Sequence, residues 1–284
     1  MTENKQQPNP QRKLFFGLFV FPLLIAVGMA LLLCTVVLLT NEEETPESLI
    51  TAIKTGSPSK RWQKAFELSN ELNHAQSALR NEGVMNEIIH VLHDTVHYDS
   101  KTRSYMALAL SHFHQPPAIQ ALYQVVVNDQ SEDVQLYALW ALGTLGDNSA
   151  VPNIIPLVKS EKDQVRKMAV YVLGVLGESQ SIPALLPLLE DPVSDVRWNT
   201  ALSLARLGND AGLKVLMKML ERKSLVEYNN LPETEIEKVM INALKGLALL
   251  KKPQTISVLE KISREDQNLK VRQAALEAIQ YIFK

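Results

Sequence analysis

Apolar and polar positions along the chain recur in a unit of 31 residues that is repeated three times between Asp129 and Glu221. A valine, two leucines and a glycine stand at fixed distances within each unit. The columns are Val134, Val165 and Val196; Leu142, Leu173 and Leu204; Leu145, Leu176 and Leu207; and Gly146, Gly177 and Gly208. A repeat of this period predicts a solenoid, in which each unit is covered by its neighbours.

Each unit is predicted to contain two helices. The first carries apolar residues from Val134 to Leu145 at a helical spacing, so that they share one face. The second is shorter and has apolar residues at positions i, i+3, i+4 and i+7 from Val151 to Val158. Neither helix can bury its apolar face alone, and we therefore expect successive pairs to stack and build the core.

Residues at fixed places predict where the first helix begins and ends. Asp129, Ser160 and Asp191 form one column before it, where their side-chain oxygens are expected to accept the free amides of its first turn. The glycine column is expected to end the helix, because glycine adopts a left-handed conformation without steric cost.

These units resemble HEAT repeats, in the short form named after phycobilin lyases. The resemblance rests on Val165-Arg166 and Val196-Arg197, on an alanine-rich helix that ends in Leu-Gly, and on a second helix that bears proline. It covers most of the chain after residue 56. The resemblance implies a fold of stacked helix pairs and does not by itself imply lyase activity.

The pattern extends beyond the three regular units. Two degenerate units precede them, and an insertion of 12 residues within the segment Arg222–Glu237 is followed by a further pair and a last helix. The predicted fold class is therefore all-α. We expect a right-handed α-solenoid of about six helix pairs plus a terminal helix over residues 60–284, preceded by one transmembrane helix.

The segment from Leu14 to Thr40 contains 27 residues without a charge. A helix of that length reaches roughly 40 Å, more than the roughly 30 Å hydrocarbon core of a bilayer, so residues 14–40 are predicted to span a membrane. A cleaved signal peptide is the alternative, although its apolar region usually has only about 7 to 15 residues. Cys34 is the only cysteine in the chain, which excludes an intrachain disulfide.

Charges on either side of this segment predict its orientation. A run of glutamates begins at Glu42, directly after the segment. The basic residues before it are Lys5, Arg12 and Lys13. The positive-inside rule makes residues 1–13 a cytoplasmic tail and places the solenoid on the opposite side, in the periplasm if the organism is bacterial. Residues 41–59 are expected to form a linker.

Motifs of common enzyme classes are missing from the sequence. It contains no glycine-rich phosphate loop, GxSxG, HExxH or CxxC, so we expect neither an enzyme nor a cofactor. All six histidines, however, lie between His74 and His114. The spacing of His90, His93 and His97 would align them on one face of a helix long enough to include them, as zinc or copper ligands require. The alternative is that they are helix-end and loop histidines without a ligand.

An arginine recurs one place after the valine position. Its members are Arg103, Arg166, Arg197 and Arg272. In HEAT-like repeats the arginine at this place bridges to the neighbouring unit, so the resemblance implies a structural role. Nucleic-acid binding is not expected, because the chain has a formal net charge of −2 rather than an excess of basic residues.

Large apolar side chains also fall on the predicted outer side of the first helices. Trp140, Tyr171 and Trp198 lie two or six places after the valine of their unit, roughly opposite the core face. They either fill contacts between neighbouring helices or form a patch for a partner. Tyr228, in the insertion, is a second candidate for partner binding, because insertions in repeat proteins often loop out and bind.

These features favour a membrane-anchored scaffold that binds a protein partner, expected to be another membrane protein, through Trp140, Tyr171, Trp198 and Tyr228. The alternative is a metal-binding or bilin-lyase-like enzyme that uses the histidine cluster at 74–114. Self-association through the last helix is a third hypothesis.

Overall fold

A computed structural model describes residues 16–40, 45–73, 80–227 and 230–284. These residues form helices, turns and loops, and none of them lies in a strand. The chain divides into two compact units, Met1–Thr45 and Pro46–Lys284. The all-α class predicted from the periodicity is confirmed.

The N-terminal unit contains a π-helical turn, Phe16–Val20, followed by helix α1, Phe21–Thr40. Pro22 has no N–H, so the hydrogen-bond register of the turn before it is disturbed, and a π turn accommodates the change. The stretch Leu18–Val36 is long and apolar enough to cross a bilayer, and none of it is buried. A secretory signal sequence would meet the same criterion.

The second unit contains fifteen α-helices within its described residues. In chain order they are α2 (Pro46–Thr55), α3 (Pro58–Asn73), α4 (Glu82–His93), α5 (Ser100–Leu110), α6 (Pro116–Asn128), α7 (Glu132–Leu145), α8 (Val151–Ile154), α9 (Asp163–Leu176), α10 (Ile182–Leu185), α11 (Ser194–Arg206), α12 (Leu213–Lys218), α13 (Arg222–Glu227), α14 (Glu233–Leu250), α15 (Ile256–Glu265) and α16 (Leu269–Ile282).

The helices form two layers. The first layer consists of α3, α5, α7, α9, α11, α14 and α16, each packed against the next. Its first six helices are followed by α4, α6, α8, α10, α12 and α15 respectively, which form the second layer. The predicted six helix pairs and terminal helix are therefore confirmed.

Helix α2 extends the packed structure into the segment expected to be a linker, residues 41–59. Leu49, Ile50 and Ile53 on α2 are buried, and the helix packs against α3 and α4. Its apolar residues at i, i+1 and i+4 form a face that the first full pair covers. The packed solenoid therefore includes residues before position 60.

Buried apolar side chains form two clusters along the solenoid. The first extends from Leu49 to Leu204 and the second from Ala201 to Ala278, so the two meet within α11. The valine column Val134, Val165 and Val196 is buried, as the periodicity predicts. The core is thus a series of contacts between neighbouring pairs.

The glycine column ends the first helices as predicted. Gly146, Gly177 and Gly208 have φ angles of 65°, 77° and 72°, in the left-handed region that a side chain would disfavour. The chain can therefore reverse direction directly after α7, α9 and α11.

The expected role of the aspartate column is corrected. Helix α7 begins at Glu132 and α11 at Ser194, three residues after Asp129 and Asp191. Each aspartate accepts a hydrogen bond from the backbone amide two residues later, at 2.8 and 2.9 Å. The column therefore closes a turn that leads into the helix and does not cap the helix itself.

The second helices of the regular units are shorter and less regular than the periodicity predicts. Pro156 and Pro187 lie in their middle and have no N–H, so the α-helical hydrogen-bond pattern cannot continue through them. Each segment instead winds as 3₁₀, α and 3₁₀ turns. The 3₁₀ turns are Asn148–Ala150 and Ile155–Lys159 around α8, and Ser179–Ser181 and Leu186–Glu190 around α10.

Arginine–aspartate pairs connect neighbouring units. Arg103 on α5 pairs with Asp129, and Arg166 on α9 pairs with Asp191 through Nε–Oδ2 and Nη2–Oδ1 distances of 2.9 and 3.2 Å. We call each pair a rung. At these two positions the bridging role that the family resemblance implies is confirmed.

Burial and hydrogen bonding act in opposite directions on Asp191. Burial tends to raise the pKa of its carboxyl, but hydrogen bonds from Arg166 and from the Val193 amide lower it more. The net pKa is below the ordinary value of 3.8. The pair therefore adds stability above about pH 4 and loses that contribution as pH falls through the lowered pKa.

We predict that Asp191→Asn lowers the free energy of unfolding by about 2 kcal/mol at pH 7, because it replaces two charge-assisted hydrogen bonds. The difference from the wild type should shrink below about pH 4, because the wild-type carboxyl then takes up a proton more readily in the unfolded chain than in the folded protein. Urea denaturation of the full-length protein in detergent, followed by circular dichroism, measures both values.

Asp195→Asn is the matched control. The Asp195 side chain is 53% exposed and pairs with Lys167 at 3.5 Å, so its loss should change stability by less than about 0.5 kcal/mol. Equal effects of the two substitutions, or a constant Asp191→Asn effect down to pH 2.5, would contradict the assignment.

Candidate partner-binding surface

A groove of about 590 Å³ lies beside the first-layer helices where the insertion interrupts the regular repeat. Helices α7, α9, α11 and α14 and the end of the insertion all contribute to it. We call it the aromatic groove and define it by its apolar lining residues Trp140, Tyr171, Trp198, Leu202, Leu231 and Val239.

Two aromatic rings stack at one end of the aromatic groove. The rings of Trp140 and Tyr171 lie 5.9 Å apart between centroids and are tilted by only 2°. The guanidinium carbon of Arg206 lies 5.2 Å from the Tyr171 centroid, within cation–π range. Trp140 remains 45% exposed, so the stack presents a large apolar surface to solvent.

The insertion explains why a groove forms here. Helix α11 packs less extensively against α14 than against α9, because residues 222–232 lie between the two repeats in sequence. At the end of the insertion Asn230 has a φ of 50°, and the Leu231 amide donates to the Leu225 carbonyl at 3.3 Å. This turn places the half-buried Leu231 against the second core cluster, at the side of the groove.

The charged residues of the aromatic groove neutralise one another. Lys167 pairs with Asp195 at 3.5 Å, and Lys238 pairs with Glu235 at 2.8 Å. An apolar floor with a neutral polar rim is typical of the centre of a protein interface. It is not suited to a phosphate backbone, which needs an excess of positive charge.

The structure brings together three of the four residues proposed for partner binding. Trp140, Tyr171 and Trp198 line one groove, whereas Tyr228 lies outside the described residues. Sequence reasoning missed Leu231 at the end of the insertion and Val239 on α14, which also line the groove. The change of repeat period at Arg222 indicated an irregular region in the sequence. It did not indicate which way the side chains of Leu231 and Val239 point.

A second aromatic group was also missed. Tyr105 on α5 packs edge-on against Phe66 and Tyr137, with centroids 5.3 and 6.0 Å apart, and Trp62 lies 6.5 Å from it. Lys101 lies over the Trp62 ring at 3.2 Å. These rings pack between neighbouring first-layer helices. This is the first of the two roles that the sequence suggests for aromatic residues on the outer side.

The histidines proposed as metal ligands do not share one helical face. Helix α4 ends at His93, so His97 lies beyond it and its Nδ1 is 2.8 Å from an Asp94 carboxylate oxygen. His90 and His93 are exposed, and partial desolvation lowers the pKa of His93 despite the nearby charge of Asp129. In the described part of the chain no group of three or more His, Cys, Asp or Glu side chains could hold a metal ion.

Comparison with protein families identifies the repeats. The family model for HEAT repeats matches three overlapping segments, residues 85–164, 119–197 and 151–227, which together cover half of the chain. The chain therefore belongs to the HEAT-repeat family.

Solved structures share the fold at low sequence identity. The complex of CpcE and CpcF of phycocyanin lyase from Nostoc sp. PCC7120 matches at 21% identity, with a TM-score of 0.56, over 84% of this chain and 88% of that one. The YibA protein of Escherichia coli matches at 15% identity, with a TM-score of 0.57, over 87% and 85%. A search of curated proteins found no significant match. At these identities the likeness establishes the fold alone.

Proposed function

We propose that this protein is a membrane-anchored HEAT-repeat scaffold that binds a segment of another membrane protein in the aromatic groove. The exposed stack of Trp140 and Tyr171 beside Trp198 is the observation that carries the proposal. Exposed aromatic surface costs free energy in water, and buried tryptophan and tyrosine contribute strongly to binding at interfaces. An interaction scaffold agrees with the HEAT-repeat fold and with the lack of a catalytic motif in the sequence.

The second part of the proposal concerns the N-terminal segment. Residues 14–40 would span the membrane, with residues 1–13 in the cytoplasm and the solenoid extracytoplasmic, in the periplasm if the organism is bacterial. The uncharged length of the segment and the basic residues before it support this orientation. The anchor would confine the scaffold to the membrane that holds its partner.

The histidine-based alternative has less support. Only His90 and His93 lie on α4, and His97 contacts Asp94 instead of joining them. The likeness to the phycocyanin lyase structure concerns the fold, so it does not carry a bilin-lyase activity to this chain.

Membrane topology can be measured with single cysteines. In a Cys34→Ser background, Gln180→Cys, which is exposed on the solenoid, should react with a membrane-impermeant maleimide applied from the extracytoplasmic side. Asn4→Cys should react only after the membrane is permeabilised. The opposite labelling pattern would overturn the orientation, and release of the solenoid from membranes by a carbonate wash would overturn the anchor.

Partner binding predicts a site-specific capture in cells. Benzoylphenylalanine placed at Trp140 or at Tyr171 of the full-length protein should crosslink the same membrane protein after irradiation. Phe66 is the matched control, since it is 43% exposed compared with 45% for Trp140 but lies outside the groove. Mass spectrometry identifies the adducts.

Two results of the capture would contradict the proposal. One is equal capture of the same protein from Phe66, and the other is no adduct from either groove position in a folded, membrane-bound protein. Benzoylphenylalanine placed at Leu276, which is exposed on α16, tests self-association. Self-association would give an adduct of twice the mass of the chain.

A further inference from the structure

Arg197, a member of the arginine column, makes only half of the contacts that Arg166 makes. In α9, Nη1 of Arg166 donates to the carbonyls of Ser160 and Glu161, while Nε and Nη2 donate to the Asp191 carboxylate. Thirty-one residues later in α11, Nη1 of Arg197 donates to the equivalent carbonyls of Asp191 and Pro192, at 2.6 and 3.0 Å. Arg197 therefore makes the same hydrogen bonds to backbone carbonyls as Arg166.

The hydrogen bonds that Arg166 makes to a carboxylate are not repeated at Arg197 within the described residues. Nη2 of Arg197 donates to the Ser194 hydroxyl at 2.9 Å, and no residue in the described ranges accepts a hydrogen bond from its Nε. The position that corresponds to Asp191 in the next unit holds Arg222, which pairs with Asp266 and Glu233 at 2.7 Å each. Hence no carboxylate among the described residues accepts a hydrogen bond from Arg197, and the column position that supplies one in the rungs holds a cation instead.

One other unit lacks both charges of a rung. Where the aspartate column holds the neutral Ser160, the arginine column holds the neutral Gln135. That glutamine donates to the Val126 carbonyl and accepts from Lys162, so it needs no carboxylate. Within the described residues Arg197 thus keeps the cation of a rung without a hydrogen-bonded carboxylate, although its charge helps to lower the pKa of Asp191.

Arg197 lines a second pocket, of about 450 Å³, which adjoins the aromatic groove. We call it the Arg197 pocket and define it by Arg197, Lys214, Lys218, Glu190, Glu221 and Trp198. Trp198 lines both the pocket and the aromatic groove. The two cavities therefore share one lining side chain.

The charge of the Arg197 pocket favours an anion. Lys214 and Lys218 are exposed and form no ion pair among the residues that the structure describes. Of the two acids, Glu221 accepts a hydrogen bond from the Ser224 hydroxyl. The pocket thus holds three cations and two acids, and Arg166 shows that a guanidinium in this column can bind a carboxylate through Nε and Nη2.

We propose that the Arg197 pocket binds an aspartate or glutamate side chain of the partner segment whose apolar residues occupy the aromatic groove. The partner's carboxylate would bind Arg197 as an aspartate of the chain binds Arg166. This inference rests on the proposed function, and it adds the chemistry of the ligand: a protein segment with a carboxylate next to apolar side chains.

Selection from a random library of displayed dodecapeptides tests this chemistry without knowledge of the partner. Full-length protein in lipid nanodiscs is the target, and enriched peptides are then titrated against the wild type and against variants. The peptides should carry Asp or Glu beside apolar residues. Their affinity should fall roughly ten- to a hundredfold on Arg197→Gln, because a charge-assisted pair is lost.

A double-mutant cycle assigns the effect to one pair. Replacing the peptide's acid with Gln should weaken binding to the wild type by the same factor and should cause no further loss on Arg197→Gln. Arg264→Gln is the control, since Arg264 is exposed on α15 and, among the described residues, its side chain hydrogen-bonds to Glu260 of its own helix alone. It should leave the affinity unchanged.

The outcomes separate the two proposals. Peptides that lose affinity on Tyr171→Ala but bind Arg197→Gln as tightly as the wild type overturn the carboxylate site and leave the groove standing. A selection that yields no peptide dependent on Tyr171 or Arg197 overturns both. If Arg197→Gln fails to fold, the Lys214→Gln, Lys218→Gln double variant decides: acidic peptides should bind several-fold more weakly, and unchanged affinity overturns the inference.

Discussion

Each helix pair of this protein depends on its neighbours, because a single pair cannot bury its own apolar face. The valine, leucine and glycine columns repeat at one period so that every pair presents the same surface to the next. The rungs Arg103–Asp129 and Arg166–Asp191 follow the same period and fix the register between pairs. A change in the repeat period is therefore expected to alter both the packing between helix pairs and the arginine–aspartate pairing.

The insertion after Glu221 makes such a change. It lies between α11 and α14 in the sequence, and α11 packs less extensively against α14 than against α9; side chains of α11 and α14 line the groove together with Trp140 and Tyr171. It also replaces the acid that would pair with Arg197 by Arg222. One local irregularity in the sequence thus accounts for the α11–α14 side of the aromatic groove and for the missing carboxylate at Arg197.

Periodicity was sufficient to predict the helix pairs, the glycine ends and the outward position of Trp140, Tyr171 and Trp198, because those depend on local spacing. Other features depend on contacts between distant residues. Leu231 and Val239 reach the groove only because the insertion folds back, and the aspartate column serves arginines about 25 residues away rather than the adjacent helix. Helix α2 is included in the solenoid because α3 and α4 cover its apolar face, which its own sequence does not reveal.

Hydroxyl-radical footprinting of the full-length protein, alone and copurified with its partner, tests most directly whether binding occurs where the repeat is interrupted. Trp140 and Phe66 have nearly equal exposure in the free protein, so they serve as an internal pair. The account predicts that oxidation of Trp140, Tyr171 and Leu231 falls in the complex while that of Phe66 stays constant. Unchanged oxidation of Trp140 together with protection of Phe66 would contradict it.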